Sequence, residues 1–319
     1  MKLSKLNGWG RTGSCAGVLA TALLASCGGG QQVQSYTASR VIAFGDESSL
    51  INPNQSKYTV NALAASSTTT LDCASNPIWI QSVAAVYGLV FPQCPGTVAD
   101  PVSRIYATNA AMVADLGPQI DLHLSTGGGF TSGDLVTVFV GANDVIAQFT
   151  QYPAVGQDQL LASVDAAGTE LATQVNRLAD LGAKVLIATI PDMGRTPYAG
   201  DRSLGSTNGN PAVLTSLSTR FNDALLAHLT NDGRRIGLVQ LDQYLITVDN
   251  ATQAGGGTFA NTTLAACLTS APLPTCTADT LVADAVGVSW LWADDRHLSA
   301  TGQASLGSLA AARAQNNPF

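Results

Sequence analysis

Three short polar loops carry the side chains that acyl-transfer chemistry requires. The first holds Asp46, Glu47, Ser48 and Ser49 in sequence, the second holds an Asn-Asp pair at 143–144, and the third, near the carboxyl terminus, holds two aspartates and a histidine at 294–297. Acyl transfer needs a hydroxyl nucleophile, a base that takes its proton, a carboxylate that orients the base, and donors for the developing oxyanion. Together the three loops contain a candidate for each part.

Apolar runs and helical stretches alternate along the chain and must position these loops. Four runs have the length of strands buried on both faces: residues 41–44, 135–141, 184–190 and 236–241. Four stretches have helical spacing: residues 78–87, 160–181, 210–229 and about 301–314. This alternation predicts a three-layer α/β/α sandwich with a mostly parallel sheet, whose ligands bind beyond the carboxyl ends of the strands.

The three loops resemble sequence blocks of one enzyme family. FGDES at 44–48, GAND at 141–144 and DDRH at 294–297 resemble the first, third and fifth blocks of the GDSL/SGNH hydrolases, in the family's order. Further segments, at 190–197, 221–222 and 259–263, resemble the GDSL lipase and autotransporter-esterase branch. Each motif is weak alone, and the ordered set carries the resemblance. It extends from about residue 41 to the end of the chain and implies the flavodoxin-like SGNH fold.

The resemblance assigns His297 as the general base and Asp294 as the carboxylate that orients it. The spacing of three residues lets one loop carry both side chains. Asp295 is the alternative orienting group, and the spacing favours Asp294. His123 and His228 have no acidic residue three positions before them, so we expect surface or packing roles for both.

The nucleophile is where this sequence departs from the family. A serine follows Gly-Asp directly in the family, and this chain has Glu47 there, with Ser48 and Ser49 next. The charge of a carboxylate would oppose the oxyanion, and an acyl-carboxylate anhydride is a different chemistry. We therefore predict that the turn holds one extra residue and that Ser48 completes a Ser-His-Asp triad. Ser49 as nucleophile, and a site that binds without cleaving, are the alternatives.

The resemblance also implies an oxyanion hole. Asn143 would donate its side-chain amide, and its alternative role is to cap or turn the loop. The family's second block supplies a glycine N–H, and Ala110 occupies that place when counted back from 115–116. An alanine can keep this donor if its φ is negative. Asn109 is an alternative amide donor, and a helix start at 108–109 is an alternative for the segment.

The amino terminus resembles a bacterial lipoprotein leader. Lys2, Lys5 and Arg11 precede an apolar stretch at 16–25, and Leu-Ala-Ser-Cys at 24–27 resembles a lipobox. We expect a signal peptide at 1–26, a lipidated Cys27 beginning a flexible tether at 27–40, and the hydrolase domain at 41–319. This organisation predicts export and lipid anchoring to the bacterial outer membrane or its periplasmic face.

Charge and cysteine content agree with an exported protein. Without the leader, 12 basic residues stand against 22 acidic ones, a net charge of −10 that disfavours nucleic acid as a partner. Four cysteines remain in a compartment that permits disulfides. Proximity in sequence favours pairing Cys73 with Cys94 and Cys267 with Cys276 over the other two pairings.

These features predict a serine esterase or lipase that acts on a small-molecule or lipid ester and needs no metal or cofactor. The alternative is a catalytically inactive lipoprotein of the same fold that binds a glycan or lipid. Trp290 and Trp292, just before the third loop, are expected in the core, with an acyl or aryl pocket as the other interpretation.

Overall fold

Five parallel strands form the central sheet of the computed structural model, in the spatial order β2-β1-β3-β4-β5. The strands are β1 (Arg40–Gly45), β2 (Arg104–Ile105), β3 (Asp134–Phe139), β4 (Lys184–Ala188) and β5 (Ile236–Val239). Every residue of β3 is buried, and so is all of β4 after its first residue. Burial on both faces is the reason these strands are continuous apolar runs rather than alternating ones.

The structure describes residues 36–200, 210–230, 233–285, 289–317 and 319. The predicted signal peptide, Cys27 and most of the predicted tether lie outside the described residues. Within the described residues, no helix is both long and apolar enough to cross a membrane.

Eight helices of the described chain flank and connect the strands. They are α1 (Trp79–Val86), α2 (Val113–Thr126), α3 (Ala142–Phe149), α4 (Gln157–Asp180), α5 (Pro197–Gly200), α6 (Pro211–His228), α7 (Leu241–Gln253) and α8 (Ala300–Asn316). Helix α1 packs against α8, while α4 packs against both α2 and α6. A second, two-stranded parallel sheet pairs β6 (Asn261–Ala265) with β7 (Trp290–Trp292).

The predicted three-layer architecture is confirmed, with all four predicted strands and all four predicted helices present. The strand order is the flavodoxin-like one, so the carboxyl ends of β1 and β3 are neighbours. Helices α2, α3, α5 and α7 and strands β2, β6 and β7 were not predicted. β2 has only two residues, and α3 begins in the polar GAND segment that reads as a loop.

Both predicted disulfides are present. Cys73 pairs with Cys94 and Cys267 with Cys276, with Cα atoms 5.8 and 5.9 Å apart. Each closes a local loop, of 21 and 9 residues in sequence separation. Trp290 and Trp292 are buried in β7, which confirms the core interpretation, and the Trp292 indole N–H donates to the Thr262 carbonyl at 2.8 Å.

Candidate active site

Two glycines lie where the chain leaves the strands that carry the first two loops. Gly45 ends β1 with φ +121°, and a Cβ there would lie 2.0 Å from the carbonyl oxygen of Phe139 on β3. Gly141 follows β3 with φ +126°, and a Cβ there would lie 2.2 Å from the Phe221 ring. Only glycine combines this backbone conformation with so close an approach. The chain therefore turns sharply out of both strands at the same edge of the sheet.

The carboxylate of Glu47 lies at the centre of the site. Its Oε1 is 3.1 Å from Nε2 of His297. Its Oε2 accepts the backbone N–H of Ala110 at 2.7 Å and the side-chain amide of Asn143 at 3.2 Å. Glu47 is only 5% exposed. The site thus presents hydrogen-bonding partners to both oxygens of one carboxylate group.

Asp294 hydrogen bonds to the other ring nitrogen of His297. Its Oδ2 lies 2.7 Å from Nδ1 of His297, and its Oδ1 accepts the His297 backbone N–H at 2.7 Å. Asp295 instead pairs with the guanidinium of Arg296 at 3.2 Å. The predicted spacing of three residues therefore brings Asp294, rather than Asp295, to the ring of His297.

The charges of Asp294 and Glu47 keep His297 protonated, so that an imidazolium lies between two carboxylates. Burial would lower the pKa of His297, but the charges and hydrogen bonds of Asp294 and Glu47 raise it to about 10. Burial would raise the pKa of either carboxyl group, and the hydrogen bond and charge of His297 hold both pKa values below their usual range. At neutral pH, His297 is protonated and donates a hydrogen bond on each side.

Ala110 donates from a strained backbone. Its φ is +57°, in the left-handed region that costs a residue with a Cβ about 1 kcal/mol or more. The condition of a negative φ is therefore not met, yet the N–H group still donates, to Glu47. Glycine, which the family has here, would adopt this conformation without the cost.

Asn143 lies in the first turn of α3, where its amide bridges two loops. The Nδ2 group donates to Ala111 O at 3.1 Å as well as to Glu47. The next residue, Asp144, accepts the backbone N–H of Val113 at 3.1 Å and so connects α3 to the start of α2. These bonds hold the two loops together, so that the Ala110 N–H and the Asn143 amide both donate to Oε2 of Glu47.

Within the described residues, neither serine hydrogen bonds to His297, whose Nε2 faces Glu47. Ser49 is fully buried, and its Oγ accepts the indole N–H of Trp79 at 3.2 Å. Ser48 donates its backbone N–H to Asp46 at 2.9 Å. The turn at 47–49 is a 3₁₀ turn capped by Asp46. The group against His297 is consequently Glu47 instead of the predicted Ser48.

The sequence contained a signal for Glu47, because it occupies the position directly after Gly-Asp where the family has serine. Gln119 had no such signal. Its side chain accepts the N–H of Gly45 at 2.8 Å and donates to the carbonyl of the same residue at 2.9 Å. This pair of bonds from α2 fixes the backbone just before the turn.

A cleft of about 550 Å³ opens in front of the site. Glu47, Asn143, His297 and Tyr58 line it, together with residues of the loop closed by the Cys267–Cys276 disulfide. A much smaller cavity of about 20 Å³ touches Glu47, Ser48, Asn143 and His297. That volume suffices for one water molecule.

One group of residues in the described chain has the spacing of metal ligands: Asp294, Asp295 and His297. Both ring nitrogens of His297 already lie against carboxylates, so a metal at this ring would have to displace Asp294 or Glu47. These three residues therefore fit a hydrogen-bonded acid–base group better than a metal centre.

The parallel sheet, its strand-end loops and the carboxylate–imidazole group define an α/β protein with a flavodoxin-like sheet and a hydrolase-type site. The chain belongs to the GDSL-like lipase/acylhydrolase family, whose model matches residues 56–309. The match begins after Glu47, so family membership does not decide which residue is the nucleophile. A comparison with curated proteins gave no match.

Solved structures of similar fold include esterases and lipases. A lipase from a goat rumen metagenome is 8% identical with a TM-score of 0.50, covering 88% of this chain and 99% of its own. An extracellular lipase from Streptomyces rimosus is 17% identical with a TM-score of 0.44, covering 88% and 100%. An acetylxylan esterase from Geobacillus stearothermophilus is 11% identical with a TM-score of 0.44, covering 90% and 99%. At these identities the likeness concerns the fold alone.

Proposed function

We propose that this protein hydrolyses carboxylic ester bonds at the site formed by Glu47, His297, Asp294, Asn143 and Ala110. One observation carries the proposal: the site binds a carboxyl group of its own. The oxygens of Glu47 meet the imidazole on one side and two N–H donors on the other. These are the partners that the acyl group of an ester needs during attack and as the product acid.

The Ser48-His297-Asp294 triad remains a prediction within this proposal. It requires the Glu47 carboxylate to leave His297 and the Ser48 hydroxyl to take its place. A fluorophosphonate probe tests this arrangement, because it forms a stable bond with a serine activated by a base. Covalent labelling that is lost in Ser48→Ala and kept in Ser49→Ala would support the triad. A folded, unlabelled protein would contradict it.

Binding without cleavage is the second candidate, and the same carboxylate favours it. Glu47 fills the position between the imidazole and the oxyanion donors, so an ester can enter only if this side chain moves. In this alternative the cleft of about 550 Å³ holds a glycan or lipid.

Hydrolysis of p-nitrophenyl acetate and butyrate by the purified protein distinguishes ester hydrolysis from binding without cleavage. We expect turnover by the wild type, with Asp294→Asn lowering kcat/KM by about 10³-fold because the imidazole loses its orienting carboxylate. Asp295→Asn is the matched control and should cost far less, since Asp295 pairs with the Arg296 guanidinium while the carboxylate bonded to Nδ1 of His297 is that of Asp294. Equal inertness of wild type and both variants on every chain length would refute ester hydrolysis.

We also propose that the protein is exported and anchored by a lipid on Cys27. The order of charged and apolar residues in the leader supports this, as do two disulfides, which persist in oxidising compartments. Metabolic labelling with palmitate should mark the wild type and not Cys27→Ser. Equal labelling of both would contradict the anchor.

A further inference from the structure

We propose that Glu47 is the nucleophile of this hydrolase and that the acyl group passes through a mixed anhydride with its carboxylate. The inference rests on the proposed ester hydrolysis and deepens it, since it names the attacking atom and the class of ester that can react.

Position is the first argument. The atom facing Nε2 of His297 is Oε1 of Glu47, at 3.1 Å, where a hydroxyl nucleophile of a triad would face its base. The hydroxyl of Ser49 is buried against Trp79, and the backbone N–H of Ser48 donates to Asp46. Glu47 Oε1 is thus the candidate nucleophile that already contacts the acid–base residue.

The second argument is the protonation state of His297. His297 lies between the carboxylates of Asp294 and Glu47, and with a pKa of about 10 it carries both ring protons at neutral pH. An imidazolium cannot accept a proton from serine. A carboxylate needs no deprotonation, so the imidazolium is free to act as the acid that protonates a leaving group.

The first step is balanced with these groups. Oε2 leaves the N–H groups of Ala110 and Asn143, and the carbonyl oxygen of the ester takes its place. Oε1 attacks the acyl carbon, and the resulting oxyanion is held by those two donors. The bond to the alcohol oxygen then breaks as His297 gives this oxygen its Nε2 proton. The products are a free alcohol, a neutral imidazole and an anhydride that joins Glu47 to the acyl group.

Water completes the second step. Neutral His297 takes a proton from a water molecule, and the hydroxide attacks a carbonyl carbon of the anhydride. The small cavity beside Glu47, Asn143 and His297 has room for that one molecule. Breakage of the anhydride returns the Glu47 carboxylate, the imidazolium and a free carboxylic acid. No other reactant is consumed.

This chemistry limits the substrate class. An anhydride is more reactive than an alkyl ester, so the first step proceeds best when the leaving group is a weak base. We therefore infer that the site favours activated acyl donors, such as aryl esters and thioesters, over alkyl esters with the same acyl group. A serine nucleophile would have no comparable restriction, because its acyl-enzyme is itself an alkyl ester.

A pair of glutamine variants tests the role of the carboxylate. Glu47 and Glu170 are the two glutamates of the chain, and Glu170 lies exposed on α4. With p-nitrophenyl acetate, Glu47→Gln should lower kcat/KM by at least about 10³-fold, as loss of a nucleophile does. Glu170→Gln should retain the wild-type value. Undiminished hydrolysis by Glu47→Gln would overturn the inference and leave ester hydrolysis intact.

Isotope labelling of the wild type tests the anhydride without relying on a variant that folds. After many turnovers in water enriched in heavy oxygen, the peptide that contains Glu47 should gain mass, because water attacks the anhydride at either carbonyl. The Glu170 peptide and a substrate-free incubation are the controls. Turnover with an unlabelled Glu47 peptide, or with acyl groups on Ser48, would overturn the assignment of Glu47 as nucleophile and leave the proposed ester hydrolysis intact. Absence of turnover with aryl esters and thioesters would overturn the proposed function as well.

Discussion

Two buried histidines of this protein have opposite surroundings. His297 is 7% exposed and lies between the carboxylates of Asp294 and Glu47. His123 on α2 is fully buried among aromatic rings, with ring centroids 4.5 Å from Phe130 and 5.1 Å from Tyr106. In the described residues, neither ring nitrogen of His123 has a hydrogen-bond partner.

The difference shows that burial alone does not make a histidine a reactive group. Burial lowers the pKa of His123, and the charge of Arg40 lowers it further, so this ring stays neutral. The same effect acts on His297 and is outweighed by two carboxylates, which raise its pKa to about 10. Charged partners aimed at both nitrogens therefore separate the two roles.

The largest expected effect is a difference in kcat/KM between variants of the two histidines. His297→Ala should lower kcat/KM for p-nitrophenyl acetate by about 10³-fold, because the acid–base group is lost. His123→Phe should keep kcat/KM within about twofold of wild type, since the ring only fills space in the aromatic cluster. A similar loss in both variants would show that the comparison is wrong.

A smaller effect sharpens the description of the site. Asn143→Ala should lower kcat by about 10²-fold, since an oxyanion donor is removed. Asn109→Ala is the matched control for the alternative donor, and steady-state kinetics of both variants make the measurement. If Asn109→Ala has the larger effect, the oxyanion hole differs from the one formed around Glu47.

The two rings should also act on stability at opposite ends of the pH scale. The folded pKa of His297 exceeds its unfolded value, so its contribution is complete below about pH 6.5 and is lost as the pH rises through about 10. We expect the free energy of unfolding to fall as the pH rises from 7 to 10, by up to about 1.4 kcal/mol per pH unit. Urea unfolding at a series of pH values measures this.

The lowered pKa of His123 gives the reverse sign. A neutral buried ring resists protonation, so stability is lost as the pH falls below the unfolded value of about 6.5. His123→Phe should remove part of that acid-side loss and leave the alkaline loss unchanged. An alkaline loss that disappears in His123→Phe would contradict the assignment of pKa values to the two rings.

The smallest expected effect concerns backbone strain at the site. Ala110→Gly should raise the free energy of unfolding by about 1 kcal/mol, because glycine adopts φ near +57° without a Cβ conflict. Activity should persist, since the N–H donor is unchanged. Thermal unfolding with activity as the second readout checks both expectations. A destabilised variant would show that the Cβ of Ala110 has a packing role that outweighs the strain.

Much of the framework was predictable because burial on both faces leaves a strong signal in the sequence. The strands β1, β3, β4 and β5 are continuous apolar runs, and the long helices α4 and α6 have clear helical spacing. The helices α2 and α7 and the short strands β2, β6 and β7 escaped prediction. Strand β2 pairs through two residues at the sheet edge, and β6 and β7 pair across a long loop, so their existence depends on contacts distant in sequence.

The sequence by itself determined the class of fold, both disulfide pairs, and the partnership of Asp294 with His297, because each depends on local patterns or short separations. The tertiary structure alone decided which side chain of the first loop meets the imidazole. Glu47 and His297 are 250 residues apart, and a capped turn after β1 aims the carboxylate, instead of either serine, at the ring. The direction of a side chain depends on the backbone that carries it, and neighbouring residues in one short turn point to different sides.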